Sequence, residues 1–281
     1  MGTLYLVSTP IGNLGDLSVR AGQVLGGVDL VLAEDTRRSR VLLDHLGVTP
    51  PMVSLHEHNE EGRKGEVLKR LRRGDELALV TDAGTPLVSD PGRRLVYAAI
   101  QDGHRVVPIP GPSAVLAALV ASGLPADRFT FLGFPPRKGP ERREFLARMG
   151  EAEGTVVLFE SPERLHALLE ALGNGSSWSR RVAVARELTK VHEEFFRGTL
   201  EEAVRYYEQS PPRGEVTLVV EGASPASSEE DPEDVDEEAI RALARSALDR
   251  GLRPSQVARD VARRLHAPRN AVYRIVQSLE P

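Results

Sequence analysis

The sequence predicts an α/β fold of two domains followed by a small basic helical one. Three observations carry this reading. Short apolar runs alternate with stretches of helical spacing, the pattern of parallel βαβ units. Each run ends in a loop of glycine, proline and small polar residues. After residue 238 the charge reverses sign. A chain of 281 residues, 41% hydrophobic, is long enough for about two domains with an appendage. There is no cysteine, which excludes disulfides, thiolate metal sites and a cysteine nucleophile. No apolar run approaches the roughly 18 residues of a membrane span, and Met1–Val7 carries no basic leader. A soluble, cytoplasmic protein without membrane partners is expected.

Leu4–Ser8 reads as a strand feeding Thr9-Pro10-Ile11-Gly12-Asn13, with helical spacing over Leu17–Leu25. That loop is not G-x-G-x-x-G, and no G-x-x-x-x-G-K-[ST] occurs, so dinucleotide and P-loop sites lack support. Val28–Ala33 is a second strand, ending in Glu34-Asp35-Thr36-Arg37-Arg38. That end reads either as a polar site or as a capped helix start. Met52–Leu55 is a third, followed by His56-Glu57-His58. Histidines alternating at a strand end lack the i, i+4 spacing of a helical zinc pair, so no metal is expected. Gly62–Arg73 reads as an exposed basic helix. Leu77–Val80 is a buried strand entering Thr81-Asp82-Ala83-Gly84-Thr85-Pro86-Leu87-Val88-Ser89-Asp90-Pro91-Gly92. Loops at the carboxyl ends of parallel strands are where open α/β sheets bind ligands; a plain tight turn accounts for the composition equally well.

Helix Arg93–Gln101 and strand Val106–Pro112 follow, then Ser113 as N-cap of Ala114–Val120, where free amides face an anionic group. The pattern restarts with strand Phe129–Phe134, the basic Pro135–Pro140 run and a helix from Glu141. Strand Gly154–Phe159 precedes Ser161-Pro162, an N-cap with proline at the first helical position. Strands Val182–Ala185 and Val216–Val220 complete the second half. Similar strand ends at Gly2–Pro10 and Gly154–Pro162 hint at two related halves. Residues 224–238 hold eight acidic residues and no basic one, and read as a linker. Residues 239–281 carry nine arginines against Asp249, Asp260 and Glu280. Helices Ala239–Arg250, Pro254–Leu265 and Arg269–Leu279 fit, with Val257, Val261 and Leu265 on one face and Val272, Ile275, Val276 and Leu279 on another. This is a helix-turn-helix candidate or a small interaction bundle. The expected domains are residues 1–112, 113–223, the linker 224–238 and 239–281.

Ser8-Thr9-Pro10-Ile11-Gly12-Asn13-Leu14-Gly15-Asp16, Ala33-Glu34-Asp35-Thr36-Arg37, Thr81-Asp82-Ala83-Gly84-Thr85-Pro86, Pro110-Gly111-Pro112-Ser113-Ala114, Phe159–Arg164 and Arg186-Glu187-Leu188-Thr189-Lys190 occur in that order. Together they resemble the ribosomal RNA 2′-O-methyltransferase branch of the tetrapyrrole (corrin/porphyrin) methylase superfamily. The resemblance implies S-adenosylmethionine held in a cleft between two α/β domains, in a homodimer. It assigns cofactor contacts to Pro10, Asp82, Ala83, Gly84, Thr85, Pro86, Ser113, Ala114, Phe159, Gly214 and Glu215. The tetrapyrrole enzymes begin with a G-x-G-P-G-D type loop, whereas this chain has Thr9-Pro10-Ile11-Gly12-Asn13. That favours a cytidine ribose in small-subunit ribosomal RNA as substrate over a porphyrin.

Methylating a ribose hydroxyl requires in-line placement and removal of its proton, aided by a base or a cation. Lys190 and Glu187 are the first candidates near the acceptor, with Arg37 gripping phosphate or ribose. The competing account makes all three members of structural ion pairs. RNA contacts are expected from Arg137, Lys138, Arg142 and Arg143 on the rim, and from tail arginines such as Arg269 and Arg274. Methylation of a small tetrapyrrole and a non-catalytic nucleic-acid-binding regulator are the rival functions.

Overall fold

An apolar run without polar alternation belongs to a strand covered on both faces, and Leu30–Ala33 and Leu77–Val80 are such runs. In the computed structural model, residues 2–223 and 237–248 are described, with positions 256, 257, 261, 265, 272, 275, 276, 278 and 279. Strands β1 (Thr3–Val7), β2 (Leu30–Ala33), β3 (Met52–Ser54), β4 (Leu77–Val80) and β5 (Arg105–Ile109) form a sheet in the order β3-β2-β4-β1-β5. All its pairings are parallel. Alternate residues point to opposite faces. Leu30, Leu32, Leu77 and Leu79 pack with Val67 and Leu71 of helix α3 (Glu60–Arg72) and Leu95 and Ala99 of α4 (Arg93–Gln101). Val31, Ala33, Ala78 and Val80 pack with Ala21 and Leu25 of α1 (Val19–Gly27) and Leu42 and Leu43 of α2 (Thr36–Leu46).

The register fixes where the loops go. Val80 pairs with Val7 and Ala33, Val7 with Ile109, and Ala33 with Ser54. The last residues of all five strands therefore form one row, and all five following loops leave from one edge. Local chemistry starts the helices there: Ser18 Oγ accepts from Ala21 N, and Asp35 Oδ1 accepts from Arg37 N at 2.8 Å.

The second half departs from the expected parallel pattern. Its strands are β6 (Phe129–Phe131), β7 (Thr155–Glu160), β8 (Arg181–Arg186), β9 (Glu194–Thr199) and β10 (Val216–Val220), ordered β6-β7-β10-β8-β9. Only β6–β7 is parallel; β10 runs antiparallel between β7 and β8, and β9 folds back on β8. The physical reason is the connection from β8 to β9: residues 187–193 are too short for a helical crossover, so the chain turns back as a hairpin. Helix α8 (Leu200–Gln209) then starts at once through a capping box, with Thr199 Oγ1 accepting from Glu202 N and Glu202 Oε2 from Thr199 N. Helices α6 (Gly139–Glu151), α7 (Pro162–Gly175) and α8 cover one face of this sheet around Leu158, Val184 and Leu218. Helix α5 (Ala114–Ser122) covers the other, packing Val115, Ala118 and Leu119 on Val157, Ala183 and Val219. Ile11, from the loop after β1, joins this second core.

Both sheets belong to one compact unit, residues 1–222; residues 223–281 form another. In the latter, Ile240, Ala244 and Ala247 of α9 (Glu237–Leu248) cluster with Val257, Val261, Val272, Ile275 and Val276. The acidic positions 224–236 and the arginines Arg269 and Arg274 lie outside the described residues. Among the described residues, no helix is long and apolar enough to cross a membrane.

Candidate active site

Three strand-end loops of the first sheet are stitched to each other. Thr9 N donates to Gly84 O at 2.9 Å and Gly84 N to Thr9 O at 3.0 Å. Thr9 Oγ1 donates to Thr81 O, and Thr85 Oγ1 to Pro112 O at 3.2 Å. Gly84 adopts φ +86°, which allows this close pairing. Beside these loops lies a cavity of about 480 Å³, walled on the far side by residues of β7, β10 and their loops. Its size falls within the range of small-molecule sites, about 300–1,000 Å³.

Of the residues expected to contact a cofactor, Asp82, Ala83, Gly84, Thr85, Ser113, Ala114, Phe159, Gly214 and Glu215 line this cavity. Pro10 and Pro86 do not. The lining adds residues that sequence reasoning passed over: Glu34, Arg38, Asp90, Phe134, Ser161 and Thr217. Phe134 sits 5.4 Å from Phe159, ring centre to ring centre, and Phe131 packs edge-on behind. Glu160 is buried; Oε1 accepts from Ser161 N and pairs with Arg164, while Oε2 has no partner.

The first-sheet wall is acidic. Thr81 Oγ1 donates to Glu34 Oε2 at 2.9 Å, and Asp35 N donates to Asp82 Oδ1 at 3.0 Å. Arg38 lies 3.4 Å from Asp82 Oδ2. Burial raises the Asp82 carboxyl above its ordinary value, with Glu34 adding to the effect. Burial also pushes Asp90 up to about 6, assisted by the charges of Glu34 and Asp82. One pairing in this region differs from the expected grip on substrate. Arg37 Nη2 and Nε bond Asp35 at 2.7 and 3.1 Å, its side chain is 89% exposed, and it is not part of the lining.

On the opposite wall, Lys190 Nζ donates to Glu187 Oε1 at 2.8 Å and to Glu215 Oε2 at 3.1 Å. Neither Lys190 nor Glu187 lines the cavity; Glu187 stands against Gly214, and Lys190 against Gly12 and Glu215. Burial disfavours the Lys190 charge, yet its two carboxylate partners outweigh that and hold its pKa above the ordinary value. The bond from Lys190 in turn lowers Glu187. Near neutral pH the pair is therefore ionised, and Lys190 holds its proton rather than accepting one.

Among the described residues, four non-glycine residues have left-handed backbone: Leu87, Ser89, Glu187 and Thr189. All four lie on the two loops that face each other across or behind this cavity. Such backbone costs of order 1–3 kcal/mol per residue and collects at functional sites. Elsewhere, Arg137, Lys138 and Arg143 are exposed, and Arg142 Nη1 donates to Pro136 O. The His56 and His58 rings meet edge-on at 6.1 Å. Among the described residues, no group of three or more histidines and carboxylates is placed to hold a metal.

Residues 3–204 match the family described as Tetrapyrrole (Corrin/Porphyrin) Methylases. The chain belongs to the tetrapyrrole methylase family. This methylase is 46% identical over 280 residues to a Synechocystis protein named ribosomal RNA small subunit methyltransferase I, covering 100% of this chain and 99% of the relative. It is 41% identical to a protein of the same name from Escherichia coli O157:H7, over 97% of this chain and 94% of that one. A Thermotoga maritima relative, also so named, is 45% identical over 226 residues, 79% of this chain and 99% of its own length. Among solved structures, a cobalt precorrin-4 methyltransferase matches with TM-score 0.59 at 21% identity, over 78% of this chain and 94% of that one. Diphthine synthase matches with TM-score 0.61 at 16% identity, over 79% and 90%. At these identities the solved structures establish a shared fold.

Proposed function

We infer that the protein transfers a methyl group from S-adenosylmethionine to a cytidine ribose 2′-hydroxyl of small-subunit ribosomal RNA. The observation that carries this reading is similarity along nearly the whole chain to relatives bearing a ribosomal RNA small subunit methyltransferase name. The cavity supports the choice of cofactor. Glu34, Asp82 and Asp90 suit the positive charge of a sulfonium, and Phe134 and Phe159 offer an apolar face to an adenine. The unpartnered Glu160 Oε2 is an acceptor awaiting a donor. Bound there, S-adenosylmethionine supplies an electrophilic methyl group. The chain's own loops orient it through backbone at Asp82–Thr85, Ser113-Ala114 and Gly214-Glu215, with Ile11 in the wall and Pro10 and Pro86 stiffening the loops that carry these residues.

Lys190 acts here by holding Glu187 and Glu215 in place, and Arg37 by fixing Asp35 at the start of α2. Residues 1–112 and 113–223 are the two lobes of the methylase, 224–238 an acidic linker, and 239–281 a basic domain that adds RNA affinity. The Thermotoga relative, matched over 99% of its length by 226 residues, supports an accessory role for the tail. Arg137, Lys138, Arg142, Arg143, Arg269 and Arg274 are the proposed RNA contacts. A ribosomal RNA substrate implies action in the cytoplasm. Helix α5 supports a homodimer: it is apolar on all sides, yet Leu116 is 52% and Val120 76% exposed. Glutamates at both positions should yield monomers by light scattering.

The deciding experiment supplies labelled S-adenosylmethionine with small ribosomal subunits, naked rRNA or a porphyrinogen, and maps the product. Label on a cytidine 2′-oxygen is expected. Label on the porphyrinogen alone would return the protein to the tetrapyrrole branch.

A further inference from the structure

We propose that the polar cleft between α3 and α4 receives the acceptor nucleotide, and that Asp90, where this cleft meets the cofactor cavity, takes the proton of the ribose 2′-hydroxyl. This rests on the function inferred above and goes beyond it by naming the acceptor site and the base. The cleft measures about 1320 Å³. That exceeds the usual range for small-molecule sites, about 300–1,000 Å³, and fits part of a polymer. Glu34, Ser89 and Asp90 line both this cleft and the 480 Å³ cavity, so a group held beside them reaches both.

The walls suit an unstacked nucleotide. Tyr97 is 66% exposed on α4 and the exposed His58 ring stands on the loop after β3, giving flat faces on which a base stacks, with the half-buried His56 packed edge-on against His58. Arg93 and Arg94 form the first turn of α4, where their guanidinium groups favour a phosphate beside the Glu60 carboxylate that already takes Leu95 N. Of the other charged groups along the cleft, Glu60 Oε1 accepts from Leu95 N at 2.9 Å, Lys64 pairs with Glu61, and Asp102 pairs with Arg72 and His104, while Glu57 adds a further carboxylate to the lining.

Asp90 is brought to the junction by the left-handed residues Leu87 and Ser89, which turn the chain back after Pro86. Its neighbours are Thr81, Glu34 and Asp82, with Arg38 engaged by Asp82. Thr81 has one hydroxyl hydrogen, given to Glu34, so it cannot satisfy both carboxylates at once. Burial and the two neighbouring charges leave Asp90 near 6, a carboxylate at neutral pH with raised affinity for a proton. As the 2′-oxygen bonds the methyl carbon, the carbon–sulfur bond breaks with its electron pair left on sulfur, and the hydroxyl proton passes to an Asp90 carboxylate oxygen.

The test uses the full-length protein with small ribosomal subunits that lack the modification. Asp90→Asn should lower kcat about 10²–10⁴-fold with KM for the subunit within about twofold, while S-adenosylmethionine is still bound by calorimetry, more weakly because one of the three carboxylates facing the sulfonium is lost. It should also abolish the acidic limb of the pH–rate profile, and Asp90→Glu should restore part of the rate. Independently of turnover, the double variant Arg93→Glu, Arg94→Glu should weaken subunit binding at least about tenfold, more at low salt, with cofactor affinity unchanged. Normal turnover and an unaltered pH profile for Asp90→Asn would overturn the base. Normal subunit binding by the arginine variant would overturn the cleft. If the wild-type protein transfers nothing to rRNA, the inferred function fails and takes this proposal with it; if it transfers normally and the variants do too, only this proposal falls.

Discussion

Gly214→Ala is the sharpest single perturbation of the cavity. Gly214 has φ +81°, and a Cβ there would lie 2.2 Å from Glu187 Oε1, 2.3 Å from its Cδ and 2.7 Å from its Cγ. Left-handed backbone alone costs a non-glycine residue roughly 1–2 kcal/mol. The carboxylate must also leave, losing its bond from Glu215 N at 2.9 Å. A hydrogen bond to a charged group contributes about 1.5–3 kcal/mol. Loss of Lys190 from Glu187 adds little, because Lys190 keeps Glu215 and the pair is partly solvated. The sum is about 2.5–5 kcal/mol, or roughly 5–20 °C in Tm for a unit of this size.

Urea denaturation of Gly214→Ala, Glu187→Ala and the double variant separates the two contributions. In the Glu187→Ala background the collision is absent, so Gly214→Ala should cost only the strain of about 1–2 kcal/mol. A coupling energy of about 1.5 kcal/mol or more is expected. Cofactor affinity, followed by calorimetry, should fall in Gly214→Ala because residues 214–217 form one wall. Equal destabilisation in both backgrounds would refute the collision as the cause.

Gly65 lies inside α3 with ordinary φ and nothing within 4 Å of an added Cβ, so Gly65→Ala should stabilise by about 1 kcal/mol in the same denaturation assay. The side-chain bond from Arg37, with its backbone bond, holds Asp35 down to about 2. The stabilisation is therefore present above the unfolded value and lost as pH falls towards 2; Arg37→Ala should move the carboxyl towards its ordinary value, read by carbon NMR. Asp90 has the opposite sign: its folded value of about 6 is raised, so its contribution is present below the unfolded value and lost as pH rises through 6. Asp90→Asn should flatten the fall in stability between about pH 4 and 7, by on the order of 1 kcal/mol after allowing for partial solvation.

What the sequence showed and what it hid divide along physical lines. Strands covered on both faces read as unbroken apolar runs, so Leu30–Ala33 and Leu77–Val80 were legible, and with them the loops that start at their ends. Strand β9, Glu194-Phe-Phe-Arg-Gly-Thr, lies at a sheet edge and mixes polar with aromatic residues. Its glutamate is there to bond Arg186 and Tyr206, a pairing no local pattern announces. The choice between Arg37 and Arg38 turns on about 100° of rotation around the first turn of α2. Asp90 sits in Ser-Asp-Pro-Gly at the end of a loop whose composition fits a ligand site and a tight turn equally, so nothing in the pattern singles it out. Only the left-handed Leu87 and Ser89, conformations that composition does not suggest, return it to the cavity.

The charges around the cavity explain why no phosphate-binding motif is present. Glu34, Asp82 and Asp90 face inward from the first sheet, and the cation that joins them, Arg38, is bound to Asp82. On the second wall Lys190 is held between Glu187 and Glu215, and Arg164 on Glu160. A triphosphate or dinucleotide would meet carboxylates with no cation released to receive it. The proposed S-adenosylmethionine, a sulfonium bearing an amino acid, would meet the reverse, with its positive charge compensated by residues that need not move. The acidic wall then has a second consequence for chemistry. If S-adenosylmethionine is the donor, loss of its methyl group would remove the positive charge that offset these carboxylates, and a proton taken up by Asp90, the proposed base, would restore the balance within the same wall.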